Sequence, residues 1–365
     1  MQDPVATLQQ VVETGTRGRE PFGTALRQGN ATRLSVVMPT TTLEQPFERC
    51  ARRVIGSLRT DLGDEFRVVF DGEAPQPPAW LDAPGVTIMA TGRRSGPAVA
   101  RNLGAESAVG DVLLFVDADV ELAPDALARV RAAFVADEDL CGVFGAYDAE
   151  PAAPGLVSRF RNLLHHHTHV RHAGIAETFW AGCGAMRTST FLDLGGFDTR
   201  FREPSIEDIE LGSRAAAAGG RLRLDPAIRC KHHKRWTLGS MLFADIFRRA
   251  APWTQHMLAT GRVSRRLNLD WRSRLSGLCA VVAGIAALAT LFQPWALVLA
   301  IGCLLVTGGL NHDFYALCFR QGGPAFAAGS FVLHWLYFAY ATLTFAAVTV
   351  VHRVRGPHLA ALPRT

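Results

Sequence analysis

The sequence lacks the features that announce several large protein classes. Its seven cysteines (Cys50, Cys141, Cys183, Cys230, Cys279, Cys303 and Cys318) form no C-x-x-C pair and are odd in number. That excludes a disulfide framework or a cysteine-built zinc site and fits reduced thiols in a cytoplasmic setting. No Walker P-loop and no G-x-G-x-x-G follows a strand-like run, so ATPase and dehydrogenase readings fail. The Gly/Arg/Lys-rich N-terminal loop common in nucleotidyltransferases is also missing. No nucleic-acid motif or aromatic interleaving accompanies the basic residues, which sets nucleic acid aside as a partner. The opening MQDPVATLQQVVETGTRGRE has no apolar core segment and is expected not to be a signal peptide. Charge is absent from 275–310, and 324–351 holds only what His334 can carry.

What is present is uneven. The 365 residues suffice for one sizeable α/β domain plus an appended segment. The net charge is +5, yet Lys231 to Arg274 holds ten Lys and Arg against Asp245 and Asp270, a local net of +8. A basic block ahead of an apolar block suits anionic lipid headgroups; an ordinary solvated basic surface is the alternative.

Short apolar runs at Leu34–Met38, Phe66–Phe70, Val86–Met89 and Val112–Val116 read as strands, with Val143–Tyr147 and Leu222–Leu224 as further ones. Helical candidates at 43–60, 97–109 and 124–137 lie among the first of these. The alternation predicts an α/β fold with a largely parallel sheet covered on both faces. One helix over 275–310 would be about 54 Å long, far beyond a ~30 Å hydrocarbon core, so Gln293-Pro294 is expected to turn two short spans. Residues 324–351 suit one tilted span, giving two to three in all. The organisation expected is a lead-in at 1–33, an α/β domain at 34–240, basic interfacial helices at 241–274, a membrane region at 275–351 and a tail at 352–365. The basic stretch is expected to put the α/β domain on the cytoplasmic face of a bacterial-type inner membrane.

The sharpest motif is LLFVDADVEL, where an apolar run ends in Asp117 and Asp119. Both can reach one site at the carboxyl end of a strand, where open α/β sheets bind ligands. Mg²⁺ or Mn²⁺ prefers such oxygen ligands and bridges them to phosphates, whereas a turn-capping acid pair is the plain alternative. Upstream, SVVMPT contains Pro39, FRVVFDGE ends a strand at Asp71, and GPAVARNLGA carries Arg101 and Asn102 one turn into a helix. Downstream lie WAGCGAMR with Trp180 and Gly182, GGFD at 195–198, and SIEDIELGSR with Glu207-Asp208 at a helix start.

In this order and spacing the motifs resemble the family 2 glycosyltransferases, inverting enzymes with the GT-A fold, over roughly residues 33–240. The resemblance implies a nucleotide-sugar donor. Asp71 would contact the nucleoside, Asp117 and Asp119 would hold diphosphate and metal, and Asp208 would be the catalytic base. Pro39, Arg101 and Asn102 belong to the donor side on this reading. Trp180, Gly182, Glu207 and Trp236 belong to the acceptor side. The sequence departs from the family pattern at Thr40-Thr41-Thr42 and at Phe70-Asp71-Gly72-Glu73, both beside the nucleoside. CKHHKRWTL at 230–238 matches only the Arg-Trp core of a basic segment found in related membrane-bound enzymes. There His232 or His233 would complete the metal shell and Lys234 or Arg235 would clamp phosphate.

One base without a second carboxylate nucleophile predicts inversion. The anchor suggests a lipid-linked or glycan acceptor for envelope polysaccharide or glycolipid synthesis, with the bilayer itself as a partner. His165, His169 and His172 share one helical face, which suits a polar, acceptor-facing or interfacial helix better than zinc. A catalytically silent nucleotide-sugar-binding scaffold is the rival function, opposed by the presence of every candidate acid. A transporter would need more polar groups inside the apolar segments.

Overall fold

A computed structural model describes residues 32–262 and 267–355. The expected lead-in, apart from Thr32 and Arg33, and the end of the expected tail lie outside the described residues. The first part of the chain alternates β1 (Leu34–Thr40), α1 (Phe47–Ile55), β2 (Glu65–Phe70), β3 (Val86–Ala90), α2 (Pro97–Glu106), β4 (Val112–Val116), β5 (Val120–Leu122), α3 (Ala126–Ala136) and β6 (Leu140–Tyr147). Then follow α4 (Leu156–Arg171), β7 (Gly174–Ala176), β8 (Cys183–Arg187), α5 (Thr188–Asp193), α6 (Glu207–Ala217) and β9 (Arg221–His232).

The strands form one sheet in the order β3-β2-β1-β4-β8-β6-β9-β5, with β7 pairing on β9. From β3 to β4 all pairings are parallel, as the alternation predicts. Beyond β4 the sheet is mixed: β8 runs antiparallel to both β4 and β6, and β9 is parallel to β6 but antiparallel to β5 and β7. The sheet has an apolar layer on each face because successive side chains point to opposite sides. Val36, Met38, Leu114 and Val116 pack with Phe47 and Val54 of α1 and Phe134 of α3. Val37, Leu113 and Phe115 pack with Ala98 of α2, Phe191 of α5 and Leu211 of α6.

Strand β9 is longer than the Leu222–Leu224 run. Leu222, Leu224, Ile228, Cys230 and His232 are buried while Arg221, Arg229 and the other alternate positions face outward. Asp225-Pro226 interrupts that period, and the pairing with β6 shifts register between Phe144 and Ala146. A proline cannot donate to the ladder, so the strand bulges there instead of ending.

The remainder is helical: α7 (Leu238–Phe243), a π-helix at Ala244–Ala250, α8 (Ala251–Thr260), α9 (Trp271–Ala289), α10 (Ala296–Leu310) and α11 (His312–Arg355). The chain turns between α9 and α10 around Gln293-Pro294. Helix α11 is broken at Gly323, whose φ is 73°, just before Pro324. Two of these helices, α9 and α11, are long and apolar enough to cross a membrane, while α10 is shorter. Leu288, Leu291, Phe292, Trp295 and Val298 at the α9–α10 hairpin are exposed. A third core joins the two parts of the chain: Phe160, Leu163 and Leu164 of α4 pack with Trp236, Met241 and, from α11, Phe314, Cys318, Phe326 and Leu333.

Candidate active site

Strand β4 is buried throughout and delivers Asp117 and Asp119 at its carboxyl end. The turn that holds them is fixed by Asp117 N donating to Gly182 O (3.2 Å) and Val120 N donating to Asp117 O (3.0 Å). Both side chains remain about one-third exposed, at 36% and 33%. Strand β5 then pairs with the end of β9, placing Val120 opposite His232. This long-range pairing brings His232 Nε2 to 3.4 Å from Asp119 Oδ2. Burial alone would raise the Asp119 pKa, but His232 and Lys234 outweigh it and hold the carboxyl below its ordinary value. The neighbouring His233 turns elsewhere, to Glu121 Oε2 at 2.8 Å, so only His232 faces the acid pair.

The second acid group sits at the start of α6. Arg101, buried on α2, donates from Nη1 to Glu207 Oε1 (2.9 Å) and from Nη2 to Asp117 Oδ1 (2.7 Å). One guanidinium therefore ties the strand bearing the Asp117/Asp119 pair to the helix bearing Asp208. Glu207, expected on the acceptor side, is instead buried, and its other oxygen accepts from Ser205 N at 2.8 Å. Asp208 accepts from Ala181 N (3.1 Å) and Ile209 N (2.8 Å). Burial, with the adjacent Glu207 charge, pushes its carboxyl up to about 7, in the range useful to a general base near neutral pH.

Aromatic rings line the space beside these acids. Tyr147, at the end of β6, stacks on His232 with centroids 4.7 Å apart and planes 8° apart, and meets Trp180 edge-on at 5.0 Å. His165 lies 4.1 Å from Tyr147 and 4.7 Å from Trp180, and His169 lies 4.0 Å from His165. A Cβ at Gly182 would fall 2.6 Å from the Trp180 ring, so only glycine lets that indole keep its place.

The three histidines expected on one helical face, His165, His169 and His172, separate. His165 and His169 are packed into this aromatic group and held neutral by burial, His169 at about 4. His172 turns to Asp270, 3.5 Å away. Tyr147 is the residue that sequence reasoning missed; its only signal was its place at the carboxyl end of a strand.

Several residues expected to contact the donor also hold the scaffold together. The Asp71 carboxylate accepts from Ser95 N (2.7 Å), Gly96 N (3.1 Å) and Thr91 Oγ1 (3.2 Å), so it anchors the loop that opens α2. Asn102 uses both ends of its amide on the Phe197 backbone, at 2.8 and 2.9 Å, and clamps the GGFD segment. Arg101 is the brace already described. Pro39 pairs in register with Val69 inside the sheet. Lys234 lies 4.5 Å from the Trp236 ring centroid, and Arg235 is exposed.

Among the described residues no three His, Cys, Asp or Glu side chains form a ready metal cage. Asp119 lies 3.4 Å from His232, and Asp117 stands two residues away on the same turn with its carboxylate about one-third exposed. Hard cations held by one or two carboxylates, with phosphate and water completing the shell, fit that chemistry.

Comparison with known proteins agrees with this geometry. Residues 35–195 match glycosyl transferase family 2. A pre-mycofactocin glycosyltransferase of Mycobacterium tuberculosis, known from two strains, is 29% identical over 214 residues. The match takes in 54% of this chain and 42% of the relative, so the chain spans less than half of that protein. Among solved structures, a mannosyltransferase from Pyrobaculum calidifontis in complex with GDP-Man and Mn²⁺ is similar in fold, with a TM-score of 0.52 at 19% identity, over 93% of this chain and 92% of that one.

Proposed function

Because the chain is a family 2 glycosyltransferase, a transferase with the GT-A fold, we propose that it moves a sugar from a nucleotide-diphosphate donor to a hydroxyl acceptor at a membrane, with inversion. The observation that carries this reading is the bond pair from Arg101 to Asp117 and Glu207, which makes the donor acids and the base-bearing helix one ion-paired unit.

In the proposed step the acceptor oxygen forms a bond to the anomeric carbon as the bond to the diphosphate breaks. Asp208 takes the acceptor's proton. One displacement with one base inverts the configuration. Asp117 and Asp119, with His232, would hold Mg²⁺ or Mn²⁺, which neutralises charge on the departing diphosphate when bound. The ring group of Trp180, Tyr147 and Trp236 offers flat apolar faces for an acceptor beside Asp208. Asp71 and Asn102 brace the walls of the site through backbone amides and carbonyls.

The exposed apolar hairpin of α9 and α10 and the basic stretch before it support anchoring in a membrane of bacterial inner-membrane type. On this proposal the catalytic domain faces the cytoplasm and meets a lipid-linked or glycan acceptor there.

The test is turnover of a panel of UDP-, GDP- and dTDP-sugars with Mn²⁺ or Mg²⁺. Turnover is expected for wild type and loss in both Asp119→Ala and Asp208→Asn. Wild-type rates in both variants would defeat the mechanism, and retention at the anomeric centre would defeat the single displacement.

A further inference from the structure

The rim of this site is tied to the last helix of the chain. Arg161 of α4 donates from Nη2 to Asp245 Oδ1 in the π-helix at 2.6 Å. Tyr340 of α11 donates its hydroxyl to the other oxygen of that carboxylate, also at 2.6 Å. All three residues are buried, at 7, 4 and 8% exposure. A buried charge pair depends on complete partnering, so loss of any member leaves the others with an uncompensated polar group.

The same turn of α4 grips Trp236. Ser158 Oγ accepts from Trp236 N (2.9 Å) and donates to Trp236 O (3.2 Å). The Arg161 guanidinium stands 6.0 Å from the Trp236 ring centroid, and that ring lies 6.5 Å from His232, the partner of Asp119. Trp236 Nε1 is buried without a protein partner among the described residues, so α4 and packing, not a bond of the indole itself, set the ring's place. Helix α11 holds α4 at a second point, where Arg159 donates to Gln321 O at 2.6 Å and lies 4.2 Å from the Phe326 ring centroid.

We infer that Tyr340 and Asp245 are positioning residues through which the seating of α11 holds Trp236, and with it the acceptor rim, in place. The path runs Tyr340, Asp245, Arg161, Trp236, His232. It leaves the parallel half of the sheet untouched. A catalytic domain braced this way meets its acceptor in full register only when α11 is correctly seated. The catalytic consequence rests on the proposed function; the mechanical one does not.

The experiment compares full-length wild type, Tyr340→Phe and Leu343→Ala, the last an exposed residue one turn further along the same helix. Amide exchange over 233–237 is expected to quicken at least tenfold in Tyr340→Phe, with β1 to β4 unchanged and Leu343→Ala like wild type. Unchanged exchange in Tyr340→Phe, or an equal rise across β1 to β4, overturns the inference. In membranes holding the enzyme, label transfer from the active nucleotide sugar into the lipid extract should fall at least fivefold, while hydrolysis of that donor by water stays within twofold. An equal fall in both would mark a merely structural role. If wild type turns over no nucleotide sugar, the functional reading fails while the exchange result still decides the coupling.

Discussion

The two sides of the site are built on different principles. On the donor side, β1, β2 and β4 run parallel at the centre of the sheet, and their loops are locked by backbone amides onto Asp71 and by Arg101 onto Asp117. Everything needed lies within the α/β part of the chain. The acceptor rim has no such independence. Trp236 is positioned by α4, and α4 by the π-helix and α11. On the proposed function, donor handling is intrinsic to the sheet, whereas acceptor handling depends on helices whose exposed faces are apolar.

The strongest way to break that contrast is at the proposed base. Asp208→Asn keeps the size of the side chain but removes the proton acceptor, and transfer should fall roughly 10²- to 10⁴-fold. Donor affinity, read by titration with the nucleotide sugar, should hardly change. A comparable loss of donor affinity would place Asp208 on the donor side and dissolve the division.

Next in size is the brace. Arg101→Met leaves Asp117 without its cation and Glu207 buried without one, and unfolding stability should drop by about 3–5 kcal/mol, as for a broken buried pair. Denaturant titration measures it. Arg101→Lys should recover only part, since an ammonium cannot reproduce a two-pronged bond. A fully stable Arg101→Met would mean the two acid groups are held separately.

The difference between the two sides also governs what was legible in the sequence. Strand β4 was readable to the residue because a strand buried on both faces is a continuous apolar run, and its DAD ending marked the candidate site. The Asp117–Asp119 pair could be picked out by type and spacing, whereas Asp208 could be told from Glu207 only by the resemblance to the family. Their brace could not, because Arg101 meets Glu207 only through the tertiary fold. The amides held by Asp71 and Asn102 were equally hidden, because sequence shows a side chain's chemistry but not its partners. Strand β8, CGAMR, has too few branched residues to signal a strand, and β9 was hidden by its Asp225-Pro226 bulge. The long pairing that sets His232 opposite Val120 follows from β9, so the rim was opaque for the same reason.

A third variant separates His232 from its neighbour. His232→Ala should weaken Mn²⁺ binding about 10- to 100-fold, the scale for loss of a metal-site partner. His233→Ala should leave it near wild type, since His233 is engaged with Glu121. Equal effects, measured by Mn²⁺ titration, would show that the β5–β9 pairing does not select the residue facing Asp119.

The gentlest test changes no residue. Burial and the Glu207 charge hold the Asp208 carboxyl at about 7, so below that pH the base is increasingly protonated. Transfer should fall roughly tenfold from pH 7 to pH 6 at most, the limiting slope for one titrating base. Stability should move the other way. A carboxyl whose pKa is raised in the folded state binds its proton more tightly there than when unfolded. Its contribution is therefore fully present below about 4 and is lost as pH rises through about 7. Opposite slopes of activity and stability across this window, both flattened in Asp208→Asn, would identify this carboxyl as the base. Parallel slopes, or slopes that survive the substitution, would assign the titration to another group and leave the acceptor side without its proposed base.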